Sequence, residues 1–271
     1  MAEQYIDIGA NLAHDSFDDD RNEMMQRAAD AGVGPIIVTG SSDSSNRRAA
    51  ELADANPGVL YSTAGVHPHH ASDYSDASDA MIRDLVGKKF VVAVGECGLD
   101  YFRNFSPREA QLHAFRRQLV IAAETGLPVF LHQRDAHDDF VEVLEPLLPN
   151  LSRAVAHCFT GEGESLREYL ALGLYIGITG WICDERRGRH LYDIVSIIPD
   201  DRLLIETDAP YLLPRTIRPR PKTRRNEPAY LVEVAKTVAE ARGQSVEHIA
   251  KITAANARRF FDLETDRPSA C

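Results

Sequence analysis

The chain is expected to be an α/β protein, a single-domain (β/α)8 TIM barrel, and three observations predict this. Eight short apolar runs alternate with helix-length amphipathic segments. Four of those runs end in a metal-ligand-type residue: Glu96 after Phe90–Gly95, His132 after Pro128–Leu131, His157 after Arg153–Ala156 and Asp208 after Leu203–Thr207. The length of 271 residues is close to that of one such barrel. An ionisable residue at a strand end makes poor core. Four of them meet only if the sheet gathers its strand ends, and in a closed parallel barrel the carboxyl ends form one polar face.

The strands are expected at Ile6–Ala10, Ile36–Gly40, Leu60–Val66, Phe90–Gly95, Pro128–Leu131, Arg153–Ala156, Leu174–Thr179 and Leu203–Thr207. Most are rich in Val, Ile or Leu, as parallel strands covered on both faces require. Between them, Asp19–Ala31, Ser44–Ala55, Ser78–Val86, Pro107–Thr125, Ala136–Leu148, Glu164–Leu172 and Arg186–Ile198 carry apolar residues at helical spacing. Gly32, Gly126 and Gly173 each follow a helical pattern, where a left-handed residue ends the helix. Ser106-Pro107 reads as an N-cap followed by a first-turn proline. Glu227–Arg242 and Ser245–Phe261 are expected to close the outer ring. The domain is expected over residues 1–263, with 264–271 as a loose tail.

Composition narrows the class. Apolar residues at 44% and charged residues at 26% are those of an ordinary globular protein. The amino terminus lacks the basic and apolar regions of a signal peptide, and no long apolar run suggests a membrane span, so a cytoplasmic protein is expected. The four cysteines, Cys97, Cys158, Cys183 and Cys271, are isolated and read as reduced thiols. A formal charge of −11 argues against broad nonspecific binding of nucleic acid. The local pattern differs: Arg215, Arg218, Arg220, Lys222, Arg224 and Arg225 precede the first acid, Glu227, in a proline-punctuated loop after the Asp208 strand. That loop should hang over the face bearing the ligand-type residues.

Two imidazoles and two carboxylates at one barrel mouth suit a divalent-metal hydrolase. Glycines flank Glu96 and admit close approach, although a helix-capping glutamate is the plain alternative. His132 and His157 stand at matching positions, which favours ligands over hydrogen-bonded core histidines. Asp208 is read as a ligand or as the base for the attacking water, with Glu206 supporting it from below. His67, nearest the strand in His67-Pro68-His69-His70, is the candidate for substrate contact or proton transfer. His69 and His70 are assigned to the loop. Arg134, just after His132, joins Arg224 and Arg225 as a candidate substrate contact. Cys97 and Cys158 are expected to turn into core, and Trp181 to wall the pocket or stack a base.

Gly95–Asp100, His157–Gly161, Gly177–Gly188 and Glu206–Pro214 together resemble the TatD family of metal-dependent deoxyribonucleases, within the amidohydrolase-like barrels. The likeness runs from Asp7-Ile8-Gly9-Ala10-Asn11-Leu12 to the last helix, and strings such as Ile176–Trp181 and Cys183–Gly188 resemble its bacterial branch. The resemblance implies a Mg²⁺-dependent 3′→5′ exonuclease acting on DNA, preferably single-stranded 3′ ends, with RNA as a further substrate and DNA repair among the processes served. It implies metal positions at Glu96, His132, His157 and Asp208, catalytic roles for Glu96, Asp208 and His67, and one or two divalent ions. Mn²⁺ and Zn²⁺ are the alternatives to Mg²⁺. Many relatives carry His-x-His on the first strand where this chain has Gly9 and Asn11, which weakens a second metal position. A monomer is expected. Two rivals remain: an amide, lactone or aminoacyl-ester hydrolase on the same barrel, and an interaction protein whose metal cluster is structural.

Overall fold

The computed structural model describes residues 5–263, so the tail expected at 264–271 lies outside the described residues. The eight strands are β1 (Tyr5–Ala10), β2 (Val33–Val38), β3 (Leu60–Ala64), β4 (Val91–Asp100), β5 (Val129–Arg134), β6 (Ala154–Ala156), β7 (Tyr175–Ile178) and β8 (Leu203–Ile205). They form one parallel sheet in sequence order. Backbone bonds from Asp208 N to Gly9 O (2.8 Å) and from Asn11 N to Ala209 O (2.7 Å) join its ends into a nearly closed barrel.

The helices are α1 (Arg21–Asp30), α2 (Asp43–Ala55), α3 (Asp76–Leu85), α4 (Arg108–Thr125), α5 (His137–Leu144), α6 (Gly163–Ala171), α7 (Arg189–Ile194), α8 (Leu231–Arg242) and α9 (Val246–Phe261). Ser42 and Ser75 open α2 and α3 with capping boxes. The cap of α4 is Pro107, not Ser106, and has no side-chain bond. Ser106 instead donates from its hydroxyl to His69 O (3.0 Å). The helix expected over Ala136–Leu148 stops at Leu144, and Glu145–Asn150 continues as 3₁₀ because Pro146 and Pro149 cannot donate to an α ladder. α7 is likewise shorter than expected and passes into a 3₁₀ turn at Val195–Ile197.

Two strands run further than their apolar content suggested. β4 continues through Glu96 to Asp100 and β5 through His132 to Arg134, so these two ligand-type residues lie within strands. β3 and β8 are shorter than expected, ending at Ala64 and Ile205.

The apolar core has two layers. A large layer packs between the sheet and the helices. A smaller one fills the barrel with Ile6, Ile8, Ile37, Val92, Phe130, Val155, Tyr175 and Leu204, joined by Phe260 and Phe261 from the end of α9 and by Leu263 just beyond it. α9 therefore does more than complete the outer ring. Its Asn256 amide donates to Leu203 O at 2.9 Å, at the start of β8, and Phe260 meets Tyr175 edge to face at 5.1 Å, at the start of β7. The helix end thus covers the barrel opposite the polar mouth.

β1 and the segment after β8 are tied by a buried carboxylate. Asp7 accepts bonds from Thr207 N (2.9 Å), Thr207 Oγ1 (2.5 Å) and Gly9 N (3.3 Å). Burial pushes its pKa up to about 7, against those bonds. A folded-state pKa above the unfolded one means that the native state binds the extra proton, so stability falls as pH rises from about 4 to about 7. The penalty of Asp7→Asn in denaturant titrations should therefore be largest near the acid end of that window and shrink toward neutrality; a penalty constant across it would contradict this account. Phe260 is fully buried, and Phe260→Ala should cost about 3–5 kcal/mol in the same assay.

Candidate active site

At the barrel mouth a cavity of about 610 Å³ is lined by Glu96, Asp100, His67, His69, His132, His157 and Asp208, with Arg103, Arg134, Arg187, Trp181 and Tyr211 among its other walls. The strand-end residues Glu96, His132, His157 and Asp208 thus line one cavity. Backbone bonds across the sheet fix four of these residues, Glu96 N to Gly40 O (2.7 Å), His67 N to Ser41 O (2.9 Å), His157 N to Leu131 O (2.9 Å) and Asp208 N to Gly9 O (2.8 Å), and the β4–β5 ladder sets His132 opposite Gly98.

One carboxylate oxygen organises the floor. Glu96 Oε1 lies 2.7 Å from His157 Nε2, 3.1 Å from His132 Nδ1 and 3.3 Å from His67 Nε2. Burial alone would raise the Glu96 carboxyl, but His157 and His67 beside it, with hydrogen bonds from His132 and His157, hold it well below the usual range. The His157 ring is carried well above an ordinary histidine by Glu96 and Glu206, against its burial. His67 behaves in the opposite way: burial, offset only in part by Glu96, pushes it down to about 4. His67 Nδ1 accepts from His69 N at 3.0 Å, which aims its other nitrogen at Glu96.

Glu206 lies beneath His157 rather than beneath Asp208 as expected. Its Oε2 is 3.3 Å from His157 Nδ1, and its Oε1 accepts from Cys158 N at 2.5 Å. Gly9 and Gly177 make room for it, since a Cβ at either position would collide with its carboxylate oxygens. Asp208 accepts from the Asn11 amide at 2.8 Å. Burial raises its pKa to about 7, with His157 opposing and Glu96 and Glu206 adding to the rise.

Asp100 has no assigned role in the sequence reading, yet it belongs to this cluster. Its Oδ2 is 2.8 Å from His69 Nε2 and 3.3 Å from His132 Nε2. Burial opposes ionisation, but these two rings hold the carboxyl far below its ordinary range. The available signal was strand alternation: Glu96, Gly98 and Asp100 share a face once β4 is allowed to continue. His69 is likewise a contact of the cluster and not only a loop residue.

The residues fit a divalent cation. Donor atoms of His67, Glu96 and His132 all lie within 4.8 Å of one another. The His132 Nε2 atom is buried, makes no hydrogen bond and lies 3.3 Å from Asp100 Oδ2. A buried ring nitrogen that makes no hydrogen bond, beside several carboxylates, suits a ligand position. This compact donor group contains His67 in place of the expected His157 and Asp208, which stand beside it.

The remaining candidates divide. Arg134 lines the cavity with its guanidinium 4.0 Å from the Phe102 ring centre and 5.8 Å from that of Trp181. Arg224 lines an adjoining cleft. Arg225 is not brought to either: it forms a two-pronged bond to Asp20 (2.7 Å each), bonds Ser16 O, and covers Phe17. It anchors the loop after β8 to the body of the protein. Cys97 is buried as expected, whereas Cys158 is half-buried and lines the cavity, where its positive φ of 44° turns the chain beside Glu206.

The family model for TatD related DNase matches residues 6–262. The chain is 52% identical over 258 residues to the "3′-5′ ssDNA/RNA exonuclease TatD" of Erwinia tasmaniensis, covering 95% of this chain and 100% of that protein. It is 53% identical to the Pantoea vagans protein of the same name, covering 95% and 99%. Among solved structures, the TatD homologue YJJV of Escherichia coli K12 aligns with a TM-score of 0.88 at 31% identity, covering 97% of this chain and 100% of that one. A dihydroorotase from Campylobacter jejuni, at 12% identity and a TM-score of 0.57, shares the fold alone, covering 97% and 84%. A chain that carries this site on this barrel and matches the family model almost throughout belongs to the TatD-related DNase family.

Proposed function

We propose that this chain is a metal-dependent 3′→5′ exonuclease that hydrolyses phosphodiester bonds of single-stranded DNA, and of RNA, from the 3′ end. The observation that carries the reading is the convergence of His67, His132 and His157 on one oxygen of Glu96, at the floor of a cavity walled by arginines and aromatic rings. The names of the relatives at 52–53% identity support it, and they disfavour an amide, lactone or aminoacyl-ester substrate.

Glu96, His132, His157 and Asp208, with His67 beside them, would hold the ion. When bound, it would polarise the scissile phosphate and acidify a water molecule. Mg²⁺ is our assignment, supported by Glu96, Asp100 and Asp208 as oxygen donors; Mn²⁺ shares that preference, and the imidazoles keep Zn²⁺ in the comparison. Gly9 offers no side chain and Asn11 is committed to Asp208, which supports one tightly held ion over two.

The chain's own groups divide the remaining work. Asp208, whose carboxyl is raised by burial before an ion binds, is our assignment for the group that accepts a proton from the attacking water. His67, whose Nε2 faces Glu96, stands beside the position we assign to the phosphate. Arg134, always charged and steadied by Phe102, offers a forked donor to phosphate oxygens. Water contributes its hydroxyl to phosphorus, the P–O3′ bond to the penultimate nucleotide breaks, and the proton ends on the released O3′, so the terminal nucleotide leaves as a 5′-monophosphate. Glu206 fixes the ring orientation of His157. We take the enzyme to act as a monomer in the cytoplasm. The free thiols of Cys97, Cys158 and Cys183 suit that compartment, and no helix among the described residues is long and apolar enough to cross a membrane.

Metal-stripped protein given Mg²⁺, Mn²⁺ or Zn²⁺ should release mononucleotides from the 3′ end of a labelled single strand, and Glu96→Ala should abolish the release. Intact strands under every metal, or internal cleavage, would overturn the reading. Glu206→Gln should weaken metal affinity about 10–100-fold in calorimetric titrations, because it removes the carboxylate that orients a ligand histidine. Unchanged affinity would show that His157 needs no such support.

A further inference from the structure

Two recesses open from the cavity, and they differ in chemistry. One is a cleft of about 680 Å³ that shares Arg187 and Leu212 with the cavity wall. Six cations line it, Arg186, Arg187, Arg215, Arg220, Lys222 and Arg224, and no acid does. The other is a chamber of about 350 Å³ that shares Gln133, Arg134, His157, Thr160 and Trp181 with the cavity. Phe102, Arg134 and Trp181 wall it, together with the acids Asp135 and Glu162. No residue lines both recesses.

We propose that a single strand occupies this site with one polarity, its 3′-terminal base in the Phe102–Arg134–Trp181 chamber and the backbone on the 5′ side of the scissile phosphate in the basic cleft. The proposal rests on the exonuclease reading above. Removing one nucleotide at a time leaves a single residue on one side of the reacting phosphate and a run of phosphates on the other. The chamber lies at the lower end of the ~300–1,000 Å³ range of small-molecule pockets, a size for one nucleoside. Arg134 covers one face of Phe102 at 4.0 Å and Arg187 one face of Trp181 at 4.5 Å, which leaves the remaining faces and the guanidinium planes to stack a base, while Asp135 and Glu162 repel a run of phosphates. The cleft has the opposite character.

The cations of the cleft are held in two ways. Asp184, only 2% exposed, and Glu185 fix the first three: Asp184 Oδ2 lies 2.9 Å from Arg187 Nε, Asp184 Oδ1 lies 3.3 Å from Arg186 Nε, and Glu185 takes both prongs of Arg215 at 2.8 and 3.0 Å. Arg220, Lys222 and Arg224 are exposed, and their side chains have no hydrogen bond or ion pair among the described residues. The inner wall is thus preorganised and the outer wall free to follow a flexible chain. A terminal nucleotide has no use for so many cations, since its one scissile phosphate is already at the Glu96 cluster.

The test uses the full chain in EDTA, where binding is read without cleavage. The salt dependence of affinity for a fluorescent dodecamer is measured for the native protein and for the triple variant R220Q/K222Q/R224Q, whose exposed positions leave folding intact. Each phosphate of a single strand that the protein no longer neutralises lowers the log–log slope by about 0.7, so the slope of the variant should be shallower by about 2. In parallel, 4-thiothymidine at the 3′ terminus should photocrosslink to peptides containing Phe102 or Trp181, and the same base at an interior position to the peptide spanning residues 215–224. An unchanged slope, or the reversed crosslinking pattern, would overturn the proposal. Hydrolysis of the same strand by metal-loaded protein is scored separately, so a strand that is bound in this polarity but left uncut counts against the exonuclease reading alone.

Discussion

The site depends on the burial of the Glu96 carboxylate, which is only 6% exposed and shares one oxygen among three imidazoles. A buried charge persists only if its surroundings satisfy it, and here they come from three different βα units. β3 and its following turn deliver His67, β5 delivers His132, and the end of β6 delivers His157. The backbone bonds that fix each in register are therefore part of the electrostatics, because a slip of one residue would turn each side chain to the other face of the sheet. Around this centre Asp7, Asp100 and Glu206 are also buried, and burial raises the carboxyls of Asp7 and Asp208. That excess of carboxylate over fixed positive charge is tolerable in a site built to receive a cation.

The barrel was legible because its signal is repeated: eight apolar runs, each followed by an amphipathic segment, constrain one another even when single boundaries are uncertain. The site was legible in part for the same reason, since a residue just past an apolar run in a parallel barrel must lie near the mouth. The reading failed where polarity and strand character separate. β4 and β5 continue through Glu96–Asp100 and His132–Arg134 because the ladder between them does, pairing Gly98 with His132 and Asp100 with Arg134. Side-chain polarity does not show where a backbone ladder ends, and the alternation that aligns Asp100 with Glu96 is visible only once the strand is known to continue. Arg224 and Arg225 show the other limit. They are adjacent and identical, but Arg225 finds Asp20, 205 positions earlier, while Arg224 faces the cleft. Only the closure of the barrel brings α1 within reach of the loop after β8.

Charge is distributed against the average. The chain carries −11 overall, yet the loop after β8 supplies exposed cations that line one side of the mouth. An acidic body limits unproductive adhesion to nucleic acid, while a basic lane confined to one edge gives the strand a direction of entry. At physiological ionic strength charges are screened over about 8 Å, so the lane acts on a strand already near the mouth. The buried Asp184 does more here than neutralise arginines: by fixing Arg186 and Arg187 beside the cavity it removes the rotamer entropy that two free arginines would lose on meeting a phosphate.

Preference for unpaired strands follows from the aromatic rim. The exposed large apolar side chains among the described residues are Val59, Phe102, Phe105 and Tyr211, and the three aromatic ones all stand at the mouth or its side chamber. Bases within a duplex are already stacked and paired, so offering them a protein ring returns only what opening the duplex removes. Unpaired bases gain the full stacking energy, about 1–3 kcal/mol each. Because every base has a π face, this contribution is indifferent to sequence. A rim of rings and a lane of cations thus act on strandedness and direction through stacking and charge, neither of which depends on base identity.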